Sequence, residues 1–180
     1  MSSLQKFHRR TASFGPVTWP PTTIGMGDDT HGYWIGPSGN GIAPMYVAPK
    51  STETSLATGS SGILRGAVST TDGLTNTNTL ASYGQTAYPA AYWCKNLTTG
   101  GYNTWYLPAI DELITCYSNK SSLPFSSING FIDDWYWSST ENTAGVGAYQ
   151  YKYGFARNMS NGTSGGLGRT TSLNVRAVRK

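Results

Sequence analysis

Charge is what this chain has least of. Only 12% of its 180 residues are Asp, Glu, Lys or Arg, about half the ~25% of ordinary globular proteins. The net charge of +4 comes from basic residues scattered along the chain, with clusters only at Lys6, His8, Arg9, Arg10 and at Arg176, Arg179, Lys180. That distribution does not make a general nucleic-acid surface, and leaves the first cluster as a candidate contact for an acidic partner or as a solvated end. Cysteine is nearly missing too: Cys94 and Cys116 are the only two, too few for a disulfide framework and without the spacing of a zinc site. They can pair with each other, but two buried thiols are the expectation. Histidine is limited to His8 and His31. No apolar run approaches membrane-spanning length and no apolar stretch follows Met1, which predicts a chain made in the cytoplasm, not inserted in a membrane and not exported by a cleaved signal.

Glycine (22), tyrosine (12) and tryptophan (6) are plentiful. Disordered chains lack aromatics and carry high charge, so this composition predicts one folded domain of many turns and short aromatic strands. Its centre is the stretch from Trp105 to Thr140. An apolar run ends at Leu107, and Pro108 suits the first turn of a helix because its missing N–H would have no partner there. Asp111 and Glu112 then sit at the positive end of the helix dipole, and Ile110, Leu113, Ile114 and Tyr117 recur at helical spacing as a predicted core face. Trp135, Tyr136 and Trp137 read as a strand, with Ser138, Ser139 and Thr140 as a turn or bulge after it.

Residues 1–30 hold Pro16, Pro20 and Pro21 and no sustained period, which predicts an extended arm, with Lys6, Arg9, Arg10 and Trp19 as its docking residues. Residues 31–180 form the domain. It opens with a hairpin in which Tyr33, Trp34 and Ile35 are answered by residues 42–48 across a turn at 36–41. Residues 51–82 read as surface loops around a strand-like centre at 63–68, with Asp72-Gly73 as a turn. A first helix is predicted over 88–97 and the Pro108 helix is the second. Residues 148–153 alternate, placing Tyr149, Tyr151 and Tyr153 on one face. Residues 158–169 read as a glycine-rich loop, and 175–179 as a final strand with Val175, Ala177 and Val178 partly inward.

Taken together, Trp105-Tyr106-Leu107-Pro108-Ala109-Ile110-Asp111-Glu112-Leu113, Trp137-Ser138-Ser139-Thr140, Ala148-Tyr149 and Val175-Arg176-Ala177-Val178-Arg179 resemble the C-type-lectin-like domains of the DUF1566 group, most strongly over residues 80–180. The resemblance implies an α+β domain with two helices flanking small antiparallel sheets, whose N- and C-terminal strands pair. Upstream, residues 32–36 and 46–50 are similar to the segment that precedes this domain in tailed-bacteriophage virion proteins. Relatives of the fold include calcium-dependent sugar binders and formylglycine-generating enzymes. The Glu-Pro-Asn and Trp-Asn-Asp calcium motifs of the former are missing here, and the Asp28-Asp29 and Asp133-Asp134 pairs would point to opposite faces of a strand or sit in solvated turns, so no metal and no cofactor are expected. The latter need a cysteine pair late in the domain, whereas no cysteine follows Cys116. No Gly-x-Ser-x-Gly elbow or phosphate loop is present either.

Two functions remain open. One is a non-enzymatic structural protein of a phage virion, in capsid decoration, neck, tail or fibre, docked on other virion proteins through the arm and acting as a homo-oligomer. The other is an adhesion module for a host surface glycan or protein, with Asn142, Tyr149, Tyr151, Tyr153, Arg157 and Asn158 as its ligand-binding face. For the tyrosines, the competing assignment is simple core packing, since one face of an alternating strand must be buried. The polar stretches 141–147 and 157–169 are expected on one side of the domain.

Overall fold

The computed structural model describes residues 21, 23–60, 62–123, 130–144 and 152–180. The chain is α+β, with three α-helices and two sheets among the described residues. The strands are β1 (Gly27–Asp28), β2 (Gly32–Pro37), β3 (Pro44–Val47), β4 (Thr54–Leu56), β5 (Trp135–Glu141), β6 (Tyr153–Asn158), β7 (Ser164–Gly168), β8 (Leu173–Val175) and β9 (Val178–Arg179). The helices are α1 (Gly73–Ala81), α2 (Pro89–Lys95) and α3 (Ile110–Asn119). One sheet runs β1-β2-β3-β9 and the other β4-β8-β5-β6-β7. All pairings are antiparallel except β5 with β8, which meet in parallel at Tyr136 and Asn174.

The segment Trp105-Tyr106-Leu107 divides the interior. Successive side chains of an extended chain point to opposite faces, and here the two faces belong to two cores. Trp105 and Leu107 join Leu80, Tyr88, Cys94, Trp137, Ala156 and Val175 in one cluster. Tyr106 joins Ile35, Met45, Val47, Leu113, Cys116, Tyr136 and Val178 in the other. Strand β5 repeats the division, with Trp137 facing the first core and Tyr136 the second. The Tyr106 and Val178 backbones exchange both hydrogen bonds, at 2.8 and 2.9 Å, which locks the partition to the end of the chain.

Several sequence expectations need correction. Among the described residues there are three α-helices where two were expected, because α1 occupies a stretch read as loop. Its sequence GLTNTNTLA has few apolar residues, and it buries Asn76 and Thr77 alongside Leu80 and Ala81. The helix is made by local hydrogen bonding instead. Asp72 caps it by accepting from Thr75 N and Thr75 Oγ1 at 3.2 and 2.6 Å, and the Thr77 hydroxyl both donates to Leu107 O and accepts from Leu107 N at 3.1 and 3.0 Å. Residues 63–68 are not a strand; Ile63 and Val68 are exposed and Ala67 alone is deeply buried. Ser138, Ser139 and Thr140 lie within β5 and not after it, and of the turn or bulge expected there it is the bulge that is found, as a shift of register against β6 between Trp137 and Glu141. The stretch 158–169 contains β7, and 175–179 divides into β8 and β9, which serve different sheets. On α3, Ile114 faces solvent and Cys116 takes the core position, because Ile110, Leu113 and Cys116 share the i, i+3, i+6 face.

Strand β1 at Gly27–Asp28 pairs with β2, and Gly25 donates to Trp34 O at 2.7 Å, so residues 25–28, within the stretch bounded as arm, are built into the first sheet. Gly25, at φ 90°, lies so close to Ser122 O that a Cβ there would fall 1.8 Å from it. Cys94 and Cys116 are both free and buried.

Candidate functional site

Strand β6 carries the described part of the sequence-nominated face. Gly154 and Ala156 turn inward beneath Trp137, while Tyr153, Phe155 and Arg157 share the opposite, half-exposed face. Their neighbours on β7 are Gly168, Gly166 and Ser164 in register. The site is close-packed: a Cβ on Gly166 would lie 2.6 Å from Asn142 Nδ2, which would have to shift, and 3.3 Å from Tyr153 Cβ. Asn142 and Tyr153 are therefore brought together at one end of the sheet. Asn142 also accepts from Ala144 N at 2.8 Å.

Arg157 lies at the other end. It donates to Ser164 Oγ at 2.8 Å and its guanidinium sits 5.0 Å from the ring centre of Tyr117 on α3. Burial lowers its pKa from the usual arginine value, against an opposing contribution from Tyr117. Lys120 approaches the same ring at 5.4 Å, pairs with Asp133 at 2.9 Å and donates to Met159 O. Beside it opens a hollow of about 490 Å³ lined by Lys50, Lys120, Phe131, Ile132 and Asp133. Tyr117, Lys120 and Asp133 were not nominated from sequence; Tyr117 was marked only as core, and no sequence pattern brings α3 against the end of β6.

Asn158 is a turn former. Its Oδ1 accepts from Ser160 N, Ser160 Oγ and Asn161 N, which engages its acceptor in the β6–β7 connection. The stretches 141–147 and 157–169, expected on one side, meet at one end only: Gly166 lies beside Asn142 and Arg169 pairs with Glu141. The β6–β7 turn lies at the other end, and residues 145–147 lie outside the described residues. Glu141 pairs with Gly154 and Trp135 with Asn158, so the chain leaves β5 at one end of the sheet and turns from β6 to β7 at the other. About four strand residues at ~3.3 Å each, some 13 Å, separate them. Tyr149, Tyr151, Lys6, Arg9, Arg10 and Trp19 lie outside the described residues.

The buried charges sit elsewhere and hold the scaffold. Glu112, fully buried, accepts from Ala109 N at 2.9 Å, Gly73 N at 3.2 Å and Tyr106 Oη at 2.9 Å. It thereby joins the starts of α1 and α3 to the central segment, and burial raises its pKa against the pull of those hydrogen bonds. Thr140 accepts from Ile110 N at 3.1 Å and donates to Ser69 O at 2.8 Å, supplying the helix-start hydrogen bond that Ala109 lacks a side chain to give. Glu141 accepts from Arg65 N at 2.8 Å and Ala67 N at 3.1 Å and is ion-paired with Arg169. Arg169 in turn donates to Ile63 O at 2.8 Å. Arg176 donates to Ala48 O and Gly130 O at 2.9 and 3.0 Å, and Arg179 donates twice to His31 O and lies 3.8 Å from the Tyr102 ring. The basic cluster near residue 180 is thus largely internal. The paired acids form turns or caps: Asp28 accepts from Thr30 N, His31 N and His31 Nδ1, and Asp29 from Tyr33 Oη. Among the described residues no group of three or more His, Cys, Asp or Glu could hold a metal ion. No helix there is long and apolar enough to cross a membrane.

A family model, the Lcl C-terminal domain, matches residues 65–179, well over half of the chain. The chain belongs to the Lcl C-terminal domain family. That family falls in the DUF1566-like group. The Lcl match begins before α1 and ends in β9, so β3 and β4, which pair with β9 and β8, complete both sheets from outside the matched residues. No match to a curated protein sequence is found.

Proposed function

We propose that this chain is a non-enzymatic display protein of a tailed-phage particle: a lectin-like Lcl C-terminal domain held on the virion by residues 1–20 and presenting the half-exposed β6–β7 face to the host. The observation that carries the non-enzymatic part is the use made of the buried acids. Glu53, Glu112 and Glu141 each accept hydrogen bonds that tie separate segments together, Glu53 taking them from Tyr136 Oη and Lys50. A general acid or base must reach a substrate proton, and these carboxylates are occupied inside the scaffold. The phage setting is supported by the likeness of residues 32–36 and 46–50 to the segment that precedes such domains in virion proteins.

An adhesion role for the displayed domain is favoured by the row of Tyr153, Phe155 and Arg157 beside the glycines of β7, an aromatic surface backed by small residues. Tyrosine and arginine supply contact area and hydrogen bonds at modest entropic cost. The test is adsorption by particles carrying Asn142→Ala, Tyr153→Ala and Arg157→Ala together. With incorporation and melting temperature retained, adsorption should fall severalfold. Normal adsorption by correctly assembled triple-mutant particles would leave a purely structural protein.

A further inference from the structure

A second open site lies at the other edge of the five-stranded sheet, where residues of α2 and β4 line one cleft. It is a cleft of about 600 Å³, within the range of small-ligand sites, and Thr54, Gln85, Tyr92, Trp93, Asn96 and Thr98 stand among its walls. None of its lining residues is Asp, Glu, Lys or Arg. Lys95, on the same helix, is not part of the lining.

The Trp93 indole is 43% exposed, although α2 buries Ala90, Ala91 and Cys94 to hold its place in the core. Stability therefore does not account for a large aromatic on the outward face. Around it most side-chain polar groups are unengaged among the described residues. Trp93 Nε1, the Gln85 amide, Tyr92 Oη and the Thr54 and Thr98 hydroxyls have no hydrogen-bond partner among the described residues. Asn96 uses its Nδ2 on Tyr92 O at 2.8 Å, which leaves its Oδ1 as an acceptor. The walls are fixed: Ala90 N donates to Ala57 O at 3.2 Å, tying α2 to the end of β4, and Trp105 Nε1 donates to Thr99 O at 3.0 Å, pinning the far rim. A preformed site loses less entropy on binding.

We propose that this cleft binds a neutral oligosaccharide. A hexose offers a flat C–H face and a ring of hydroxyls that both donate and accept. The cleft offers an indole for the first, and for the second amide and hydroxyl side chains, which also do both. A sulfated or uronic sugar would find no cation in the lining, and an acidic or basic peptide no counter-charge. The site requires neither calcium nor the β6–β7 face. Its role in adhesion rests on the display function proposed above; binding by the isolated chain does not.

The test is titration of the purified full chain with maltotriose, cellotriose and chitotriose, each followed by calorimetry and by amide NMR shifts, with a heparin tetrasaccharide as the charged comparison. At least one neutral probe should bind with a Kd of about 0.1–1 mM and shift amides of α2 and β4. Trp93→Ala should weaken it tenfold or more. The double variant Gln85→Ala/Asn96→Ala, at two exposed positions, should weaken it severalfold, so the proposal is judged even where the tryptophan variant fails to fold. Absence of binding by all three at about 10 mM, tenfold above that range, would overturn the proposal. Binding of the heparin probe alone would do the same, as would equal binding by folded variants. Loss of sugar binding in variants whose particles still adsorb normally through β6–β7 separates this site from the adhesion face.

Discussion

The ion pair between Glu141 and Arg169 gives the sharpest test of how the scaffold is held. Both side chains are about 1% exposed, and together they tie the bulged end of β5 to the loop at 63–67 and to the residue after β7. Arg169→Met leaves the Glu141 carboxylate buried with only the two backbone donors of Arg65 and Ala67, and deprives Ile63 O of its donor. Breaking a buried pair from one side costs about 3–5 kcal/mol, because the remaining charge is uncompensated. In a chain of this size that is a fall of about 6–20 °C in melting temperature. Glu141→Gln should cost a similar amount, since it removes the negative charge facing the buried Arg169 guanidinium. The double variant removes both charges, so its loss should be well below the sum of the singles, with a coupling of about 2 kcal/mol or more. Urea unfolding of the four proteins measures the cycle. Additive losses, or a single variant costing under about 0.5 kcal/mol as an exposed site would, would refute the reasoning.

Trp137→Ala removes a fully buried indole from the first core and should cost roughly 3–5 kcal/mol, seen as a large loss of melting temperature; a shift of a degree or two would contradict its central place. Glu112 titrates above its ordinary value of 4.5 because of burial, so the native chain keeps a proton that the unfolded chain has released. Its contribution to stability should therefore fall as pH rises through the window just above 4.5, and Glu112→Gln should abolish that part of the pH slope; identical slopes in urea melts of both proteins would disprove it. Chelation by EDTA should leave the melting temperature unchanged, and a drop of many degrees reversed by calcium would establish a structural metal.

The hairpin, α2, α3 and β5 were legible because each is written in local chemistry: turn glycines at 36–41, apolar residues at helical spacing in α2 and α3, alternation through Trp135 to Trp137. Pro108, expected in the first turn of α3, instead precedes its N-cap Ala109. The α+β class was implied by the resemblance to the DUF1566 group, and the structure has it. Helix α1 was not legible, since threonine and asparagine fill its buried face and its stabilising partners, Leu107 and Asp72, lie in other elements or in what reads as a turn. Strand β7 was hidden for a related reason. SGGLG carries little strand preference, and its pairing with β6, residue for residue from Ser164 to Gly168, is not written in its own sequence. Of the nominated site, Tyr153 and Arg157 share a strand face by period two alone. The contacts of Arg157 with Tyr117, and the cleft between α2 and β4, depend on packing between segments distant in sequence, which no local pattern encodes.

The central claim, that the chain is displayed on a phage particle, is tested most directly by quantitative mass spectrometry of gradient-purified particles. The account predicts the chain at a fixed copy number per particle that follows infectivity across the gradient, and loss of the chain from particles when residues 2–20 are deleted from an otherwise folded domain. A chain that stays in the soluble lysate, with no constant ratio to the particle's major proteins, would contradict it.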